Sequence, residues 1–328
     1  MTQVYATPGV YIEEKSAFPS SGVAVATAVP AFIGYTQKHV SNNKSLLNKP
    51  TRINSLAEYH QYFGGAPQVK FKIESDPQTK FKLSVVSTTK FNLYNAMRLF
   101  FANGGSTCYI VSVGVYDPVK GVESSVLNPD AEGGIKTLLK EPEPTMVVVP
   151  DAVLLSKEDC YSLQQDMLIH CGVDTRSRVA LLDVYEGYRE GADVITDFRN
   201  GIGNNHLQWG AAYYPWVETT VVSDSEVSLD NIDMPETELK KILEAEIALI
   251  YPQKKDKDDK LVDDPKFTLL KGELDKLGKA EEAKSLHQTL SVTIPIYKAI
   301  VNELRFQLNV QAPSGGMAGV ISMVDHTA

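Results

Sequence analysis

The chain has 328 residues, 43% hydrophobic and 22% charged, with a formal net charge of −9. This is the balance of a globular chain longer than one ordinary domain, and its acidity disfavours nonspecific nucleic-acid binding, which needs a basic surface. No apolar run reaches the ~18 residues of a membrane span, and no basic-then-apolar leader opens the chain, so neither membrane insertion nor secretion is expected.

Taken in order, residues 1–22 read as an extended arm. Pro8 fixes φ and Gly9 permits φ > 0, delivering the chain into the strand-forming Val10, Tyr11 and Ile12. The small and β-branched runs around Pro30 (23–29 and 31–35) are expected to form a buried strand. Ser55 and Glu58 have capping-box spacing, predicting a short helix that stops at Gly64 and Gly65. Residues 70–92, rich in Lys, Phe, Ser and Thr, suggest a surface hairpin or loop. Leu93, Met97 and Phe100 then recur at helical spacing up to Gly104 and Gly105, after which CYIVSV from Cys108 enters as a strand.

The alternation continues with a strand at Met146–Val149, a helix over Lys157–Cys171 and a strand at Val179–Val184. A mainly parallel sheet covered by helices follows, an α/β class with α+β mixing. Beyond Trp216 the composition changes. Leu239, Ile242, Leu243 and Ile247 make one helical stripe, Lys254–Lys260 a charged loop, and 266–290 a further helical pattern weakened by Gly272 and Gly278. Ile296, Ala299, Ile300 and Leu304 predict another amphipathic helix. Pro313, Gly315 and Gly316 precede an expected final strand, Ala318–Val324. The resulting division is an arm (1–22), a body (23–216), a peripheral helical insertion (217–290) and a return to the body (291–328).

Several segments resemble contractile tail sheath proteins of phage tails and related injection systems. They are TPGVYIEE (Thr7–Glu14), VPAFIGYTQ (Val29–Gln37), INSLAEYHQYFGG (Ile53–Gly65), LYNAMRLFFANGGSTCYIVSVG (Leu93–Gly114), MVVVPDAVLL (Met146–Leu155), VALLDVYEG (Val179–Gly187), AAYYPWVET (Ala211–Thr219) and APSGGMAGVISMVDHT (Ala312–Thr327). Their order and spacing make the likeness specific. It implies a structural subunit that polymerises as stacked hexameric rings around an inner tube, with arms that add strands to a neighbour's sheet. The arm residues so implicated are Val4, Tyr5, Val10, Tyr11, Ile12, Glu13 and Glu14. The implied partners are further copies of the chain, the inner tube protein, and baseplate and cap proteins, with synthesis in the bacterial cytoplasm and release by lysis. In that family the last segment leads into a carboxyl-terminal inner domain, which this sequence does not show.

Enzymatic motifs are not evident. GxxxxGK[ST] and GxSxG are absent, and GIGNN (Gly201–Asn205) lacks a third glycine and a preceding strand, so a surface turn is expected. Asp151 and Asp183 sit where α/β enzymes hold metals or substrates, but strand ends also carry caps and turns. His39, His60, His170, His206, His287 and His326 show no zinc spacing. Cys108, Cys160 and Cys171 form no CxxC pair and read as reduced thiols. Tyr213, Tyr214 and Trp216 lack nearby Arg or Lys for phosphate, favouring core packing or a subunit contact over base stacking. No catalytic residue, cofactor or metal is expected. A cap or baseplate relative, or an α/β ligand-binding enzyme, are the alternative readings.

Overall fold

The computed structural model describes residues 28–129, 132–255 and 257–327. In chain order its principal strands are β1 (Pro30–Thr36), β2 (Thr51–Ile53), β3 (Phe71–Asp76), β4 (Lys80–Val85), β5 (Cys108–Val115), β6 (Met146–Val148), β7 (Val179–Asp183), β8 (Gly210–Tyr213), β9 (Val217–Glu218) and β10 (Val310–Gln311). The principal helices are α1 (Leu56–Phe63), α2 (Leu93–Ala102), α3 (Lys157–Ile169), α4 (Val194–Ile202), α5 (Glu238–Ile250), α6 (Pro265–Leu274), α7 (Ala283–Thr293), α8 (Pro295–Asn309) and α9 (Ser314–Thr327).

Six strands form one sheet in the order β8-β7-β6-β1-β5-β2. All neighbours are parallel except β2, which pairs antiparallel to β5 at one edge. Successive side chains of a strand point to opposite faces, and here both faces are dry. Ala31, Ile33, Val111, Val147 and Leu182 enter one apolar cluster with Cys160, Leu163 and Met167 of α3 and Phe198 of α4. Phe32, Ile110, Val148 and Leu181 enter another with Tyr59 and Phe63 of α1 and Leu93, Met97 and Phe100 of α2. Burial on both faces explains why these strands are continuous apolar runs rather than alternating ones. Pro30 is tolerated because it is the first residue of its strand.

Local signals act as the sequence suggests at α1. The Ser55 side chain accepts from the Glu58 amide, the Glu58 carboxylate reaches back to the Asn54 amide (2.8 Å), and Gly64 ends the helix at φ +86°. The carboxyl terminus differs from expectation. Residues 318–324 belong to α9, not to a strand. The β-branched run favoured a strand locally, but the small residues of this helix let it press against α2. A Cβ at Gly315 would stand 2.8 Å from the Ala96 carbonyl oxygen, and one at Gly319 only 2.4 Å from that of Phe100.

A second core lies outside the sheet. The β3–β4 hairpin turns Phe71, Ile73 and Leu83 inward, where they meet Leu239, Leu243 and Ile247 of α5, Leu274 of α6, Leu290 of α7 and Ile300 and Leu304 of α8. The hairpin is therefore only half a surface feature. In α8 the inward positions are Ile296, Tyr297, Ile300, Leu304 and Leu308, whereas Ala299 faces solvent. The 266–290 pattern resolves into α6 and α7, interrupted around Gly278 (φ +83°). The charged loop carries a short antiparallel pair, Lys254–Lys255 with Leu261–Val262.

The chain passes from the sheet body to this second core and back through adjacent strands, since β9 and β10 pair antiparallel. Buried Asn309 closes the junction: its side chain donates to the Val222 carbonyl (3.0 Å) and accepts from the Val222 amide (2.9 Å). Helix α8 packs within the second core, and β10 follows it directly.

Candidate functional site

The two carboxylates at strand ends are the first place to look for chemistry. Asp151 is fully buried; one oxygen accepts from the Tyr35 amide (3.0 Å) and the other from the Asn92 amide at the start of α2 (2.6 Å). A Cβ at Gly34 would come within 2.5 Å of this carboxylate, so the glycine in β1 makes room for it. Asp183 is 3% exposed and accepts from the amide (2.8 Å) and hydroxyl (2.5 Å) of Ser314 at the start of α9. Each carboxylate thereby satisfies orphan donors at a helix start and faces the positive end of that helix. Burial pushes both up to about 6, while the donated hydrogen bonds pull the other way. Their oxygens are engaged by the chain's own groups, and each joins a strand end to a helix distant in sequence.

Several of the other singled-out side chains have partners among their neighbours, whereas the buried Nδ1 of His39 has no hydrogen-bond partner among the described residues. His60 meets the Tyr94 hydroxyl (3.0 Å), His287 that of Tyr297 (2.8 Å), and buried His170 lies 3.0 Å from Arg178. Burial, then the Arg178 charge, lowers His170 to about 4. Arg178 also donates to the carbonyls of Pro144 and Glu141, a buried cation that nothing in its local sequence singles out. Among the described residues no group of three His, Cys, Asp or Glu side chains is placed to hold a metal. The three cysteines are buried and unpaired; desolvation raises Cys160 and Cys171 to about 12 and Cys108 well above its usual value. GIGNN forms the end of α4 and the turn beyond it, with Gly203 at φ +71°.

The aromatic cluster divides. Trp216 is buried and its indole donates to the Val184 carbonyl (2.9 Å), whereas Tyr214 is 46% exposed. Tyr214 adjoins β8, which among the described residues pairs only with β7 and leaves its outer side open. The opposite edge, β2, is three residues long and carries Arg52, paired with Glu143. An open edge can accept an added strand through main-chain hydrogen bonds, and β8 is the longer of the two. Val4, Tyr5, Val10, Tyr11, Ile12, Glu13 and Glu14 lie outside the described residues.

The molecule is thus of the mixed α/β class, with carboxylates that serve its architecture. Among solved structures the chain is similar to the contracted helical sheath of the anti-feeding prophage, with 24% identity, 66% of this chain and 47% of that one covered, and a TM-score of 0.36. It is similar to a chain of the contracted baseplate of that prophage, with 23% identity, 68% and 50% covered, and a TM-score of 0.40. It is similar also to the contracted PVC sheath complex of an extracellular contractile injection system, with 21% identity, 81% and 60% covered, and a TM-score of 0.35. The chain spans about half to three-fifths of the length of these structures. No protein-family model and no curated protein matches the sequence.

Proposed function

We propose that this chain is a structural subunit of a contractile sheath, polymerising as stacked hexameric rings around an inner tube and contracting to drive that tube through a target envelope. The observation that carries the reading is the ordered series of sheath-like segments along the sequence. Those segments supply β1, α1, α2, β5, β6, β7, β8 and α9, the parts from which the sheet body is built. A role for Asp151 and Asp183 in holding helices, rather than in binding a substrate, is consistent with a mechanical part.

Residues Val4, Tyr5 and Val10–Glu14 form the intersubunit arm, and helices of the 217–290 region face outward. Partners are further copies, the inner tube, and the baseplate and cap proteins. The particle is a phage virion or a phage-tail-like device assembled in the cytoplasm. Its energy is stored in the assembled lattice, and contraction repacks folded bodies while the arms keep them connected. No nucleotide or other cofactor is consumed.

Immunogold electron microscopy of particles from the native source tests this. Label along tubes, in both long and shortened forms, is the expected result. Label confined to one tip would replace the sheath with a cap or baseplate component. Deleting residues 1–14 is expected to leave a folded protomer and abolish ordered tubes; unaltered tubes would remove the arm from the proposal.

A further inference from the structure

A cavity of about 430 Å³ lies between the sheet body and the second core, within the size range of small-molecule sites. Trp216 and Phe71 are its buried aromatic lining, while Tyr188 and Phe306 line it and remain 53% and 46% exposed, large rings left in water. Lys90 also lines it, its ammonium 5.7 Å from the centre of the Trp216 ring. Among the described residues that ammonium makes no hydrogen bond or ion pair. Desolvation lowers Lys90 to about 8, so the amine stays largely charged at neutral pH.

A desolvated cation costs free energy unless an anion meets it, and a ring face offsets that cost only in part. Among the described residues nothing supplies the anion. Of the two acids lining the cavity, Glu303 accepts from Gln307 (2.8 Å) one turn along α8, and Glu190 is exposed. One cation in the company of two carboxylates suits an occupant with a single negative charge and disfavours a multiply charged one such as a phosphate ester. Four rings suit a planar aromatic body. The location agrees. The Trp216 indole donates to Val184 just beyond β7, and Lys90 stands two residues before Asn92, which Asp151 holds beyond β6. The cavity is therefore at the carboxyl ends of the parallel strands, where open α/β sheets place their ligands.

We propose that this cavity is a binding site for a small aromatic monocarboxylate, its ring against Trp216, Tyr188 and Phe306 and its carboxylate on the Lys90 ammonium. Such an occupant touches Trp216 of the sheet body and Phe71 of the second core together, and so favours their docked arrangement by mass action. The site is independent of the sheath reading, since it needs neither a second copy nor an assembled tube.

The test is isothermal titration calorimetry of the full chain with naphthalene carboxylate and biphenyl carboxylate. Saturable binding of at least one acid is expected, and its neutral amide should bind about tenfold more weakly. Lys90→Met should bring the acid down to the affinity of the amide. That variant should keep the native unfolding midpoint or exceed it, because it removes an unpaired charge from a desolvated site. If it does not fold, the comparison of acid with amide on the native chain decides alone. Nuclear magnetic resonance locates the ligand: of the two tryptophan indole N–H signals, that of Trp216 should move and that of Trp209 stay. No saturable heat with either acid, equal affinity for acid and amide, native acid affinity in folded Lys90→Met, or a shift confined to Trp209 would each overturn the proposal.

Discussion

The sheet body and the helical region between Thr219 and Asn309 are built on different principles. The body is specified by long-range polar clamps and close backbone contact: Asp151 and Asp183 each fasten a helix to a strand end, and Gly315 and Gly319 let α9 approach the backbone of α2. The helical region relies on one aliphatic cluster, with exposed ion pairs such as Lys80–Glu246 and Lys240–Asp275 around it. Surface pairs of that kind contribute little. The body should therefore respond sharply to small polar or steric changes, and the helical region mainly to loss of apolar volume.

The severest test of that contrast is Asp183→Ala. It leaves two donors of Ser314 without partners in a dry site and removes the anchor of α9, so a loss of about 4 kcal/mol is expected in urea denaturation. Asp183→Asn keeps an acceptor and should lose much less. The isosteric variant also reveals the pH dependence. Because the folded carboxyl titrates near 6 rather than 3.8, the folded chain retains a proton that the unfolded chain releases in that interval. This contribution is complete below about pH 4 and is lost as pH rises through 6. The stability of the native chain relative to Asp183→Asn should accordingly fall from pH 4 to pH 7. A flat difference would show that the hydrogen bonds from Ser314 fully offset desolvation, and a rise with pH that they outweigh it.

Leu243→Ala comes next, at about 3 kcal/mol, because this side chain is fully buried in the second cluster. Its location matters more than its size. Hydrogen exchange should accelerate in α5–α8 and the β3–β4 hairpin while β1, β5 and β6 keep native protection. Equal acceleration everywhere would mean that the two cores unfold as one unit. Gly319→Ala is expected to cost about 2 kcal/mol, as its Cβ meets the Phe100 carbonyl and not a movable side chain. Here the signature should be lost protection in α2 and α9, with the helical region unchanged.

How far the sequence reveals these regions depends on the range of the deciding interaction. The cap at Ser55 and Glu58, the glycine stop at Gly64 and the apolar stripe of α5 are local, and their elements were legible. The location of Asp151 and Asp183 at strand ends was legible too, but their tasks were not, because Asn92 and Ser314 lie 59 and 131 residues away. In α9, the run VISMV favours a strand over a few residues, and only the facing backbone of α2 supplies the reason for a helix there. Ala299 shows the limit of periodicity: the buried stripe of α8 includes Tyr297 and passes Ala299 by. Lys90 carried no signal at all, as its setting is assembled from four distant stretches of chain.

The smallest effect concerns the seam between the regions. Arg98 of α2 grips Glu226 in two bonds of 2.6 and 3.0 Å, the sheet body holding the helical region by its acidic turn. Burial works against the Glu226 charge, but the Ser223 and Arg98 bonds prevail and keep its carboxyl below the usual range. Both partners are partly exposed, at 20% and 35%, so Arg98→Ala should cost only about 1 kcal/mol. If the junction at Asn309 and the β9–β10 pair hold the regions together, this variant will leave their exchange rates unchanged relative to each other. If Arg98 is the principal tie, the helical region will begin to exchange ahead of the body, and strong salt will produce the same separation in the native chain by screening the pair.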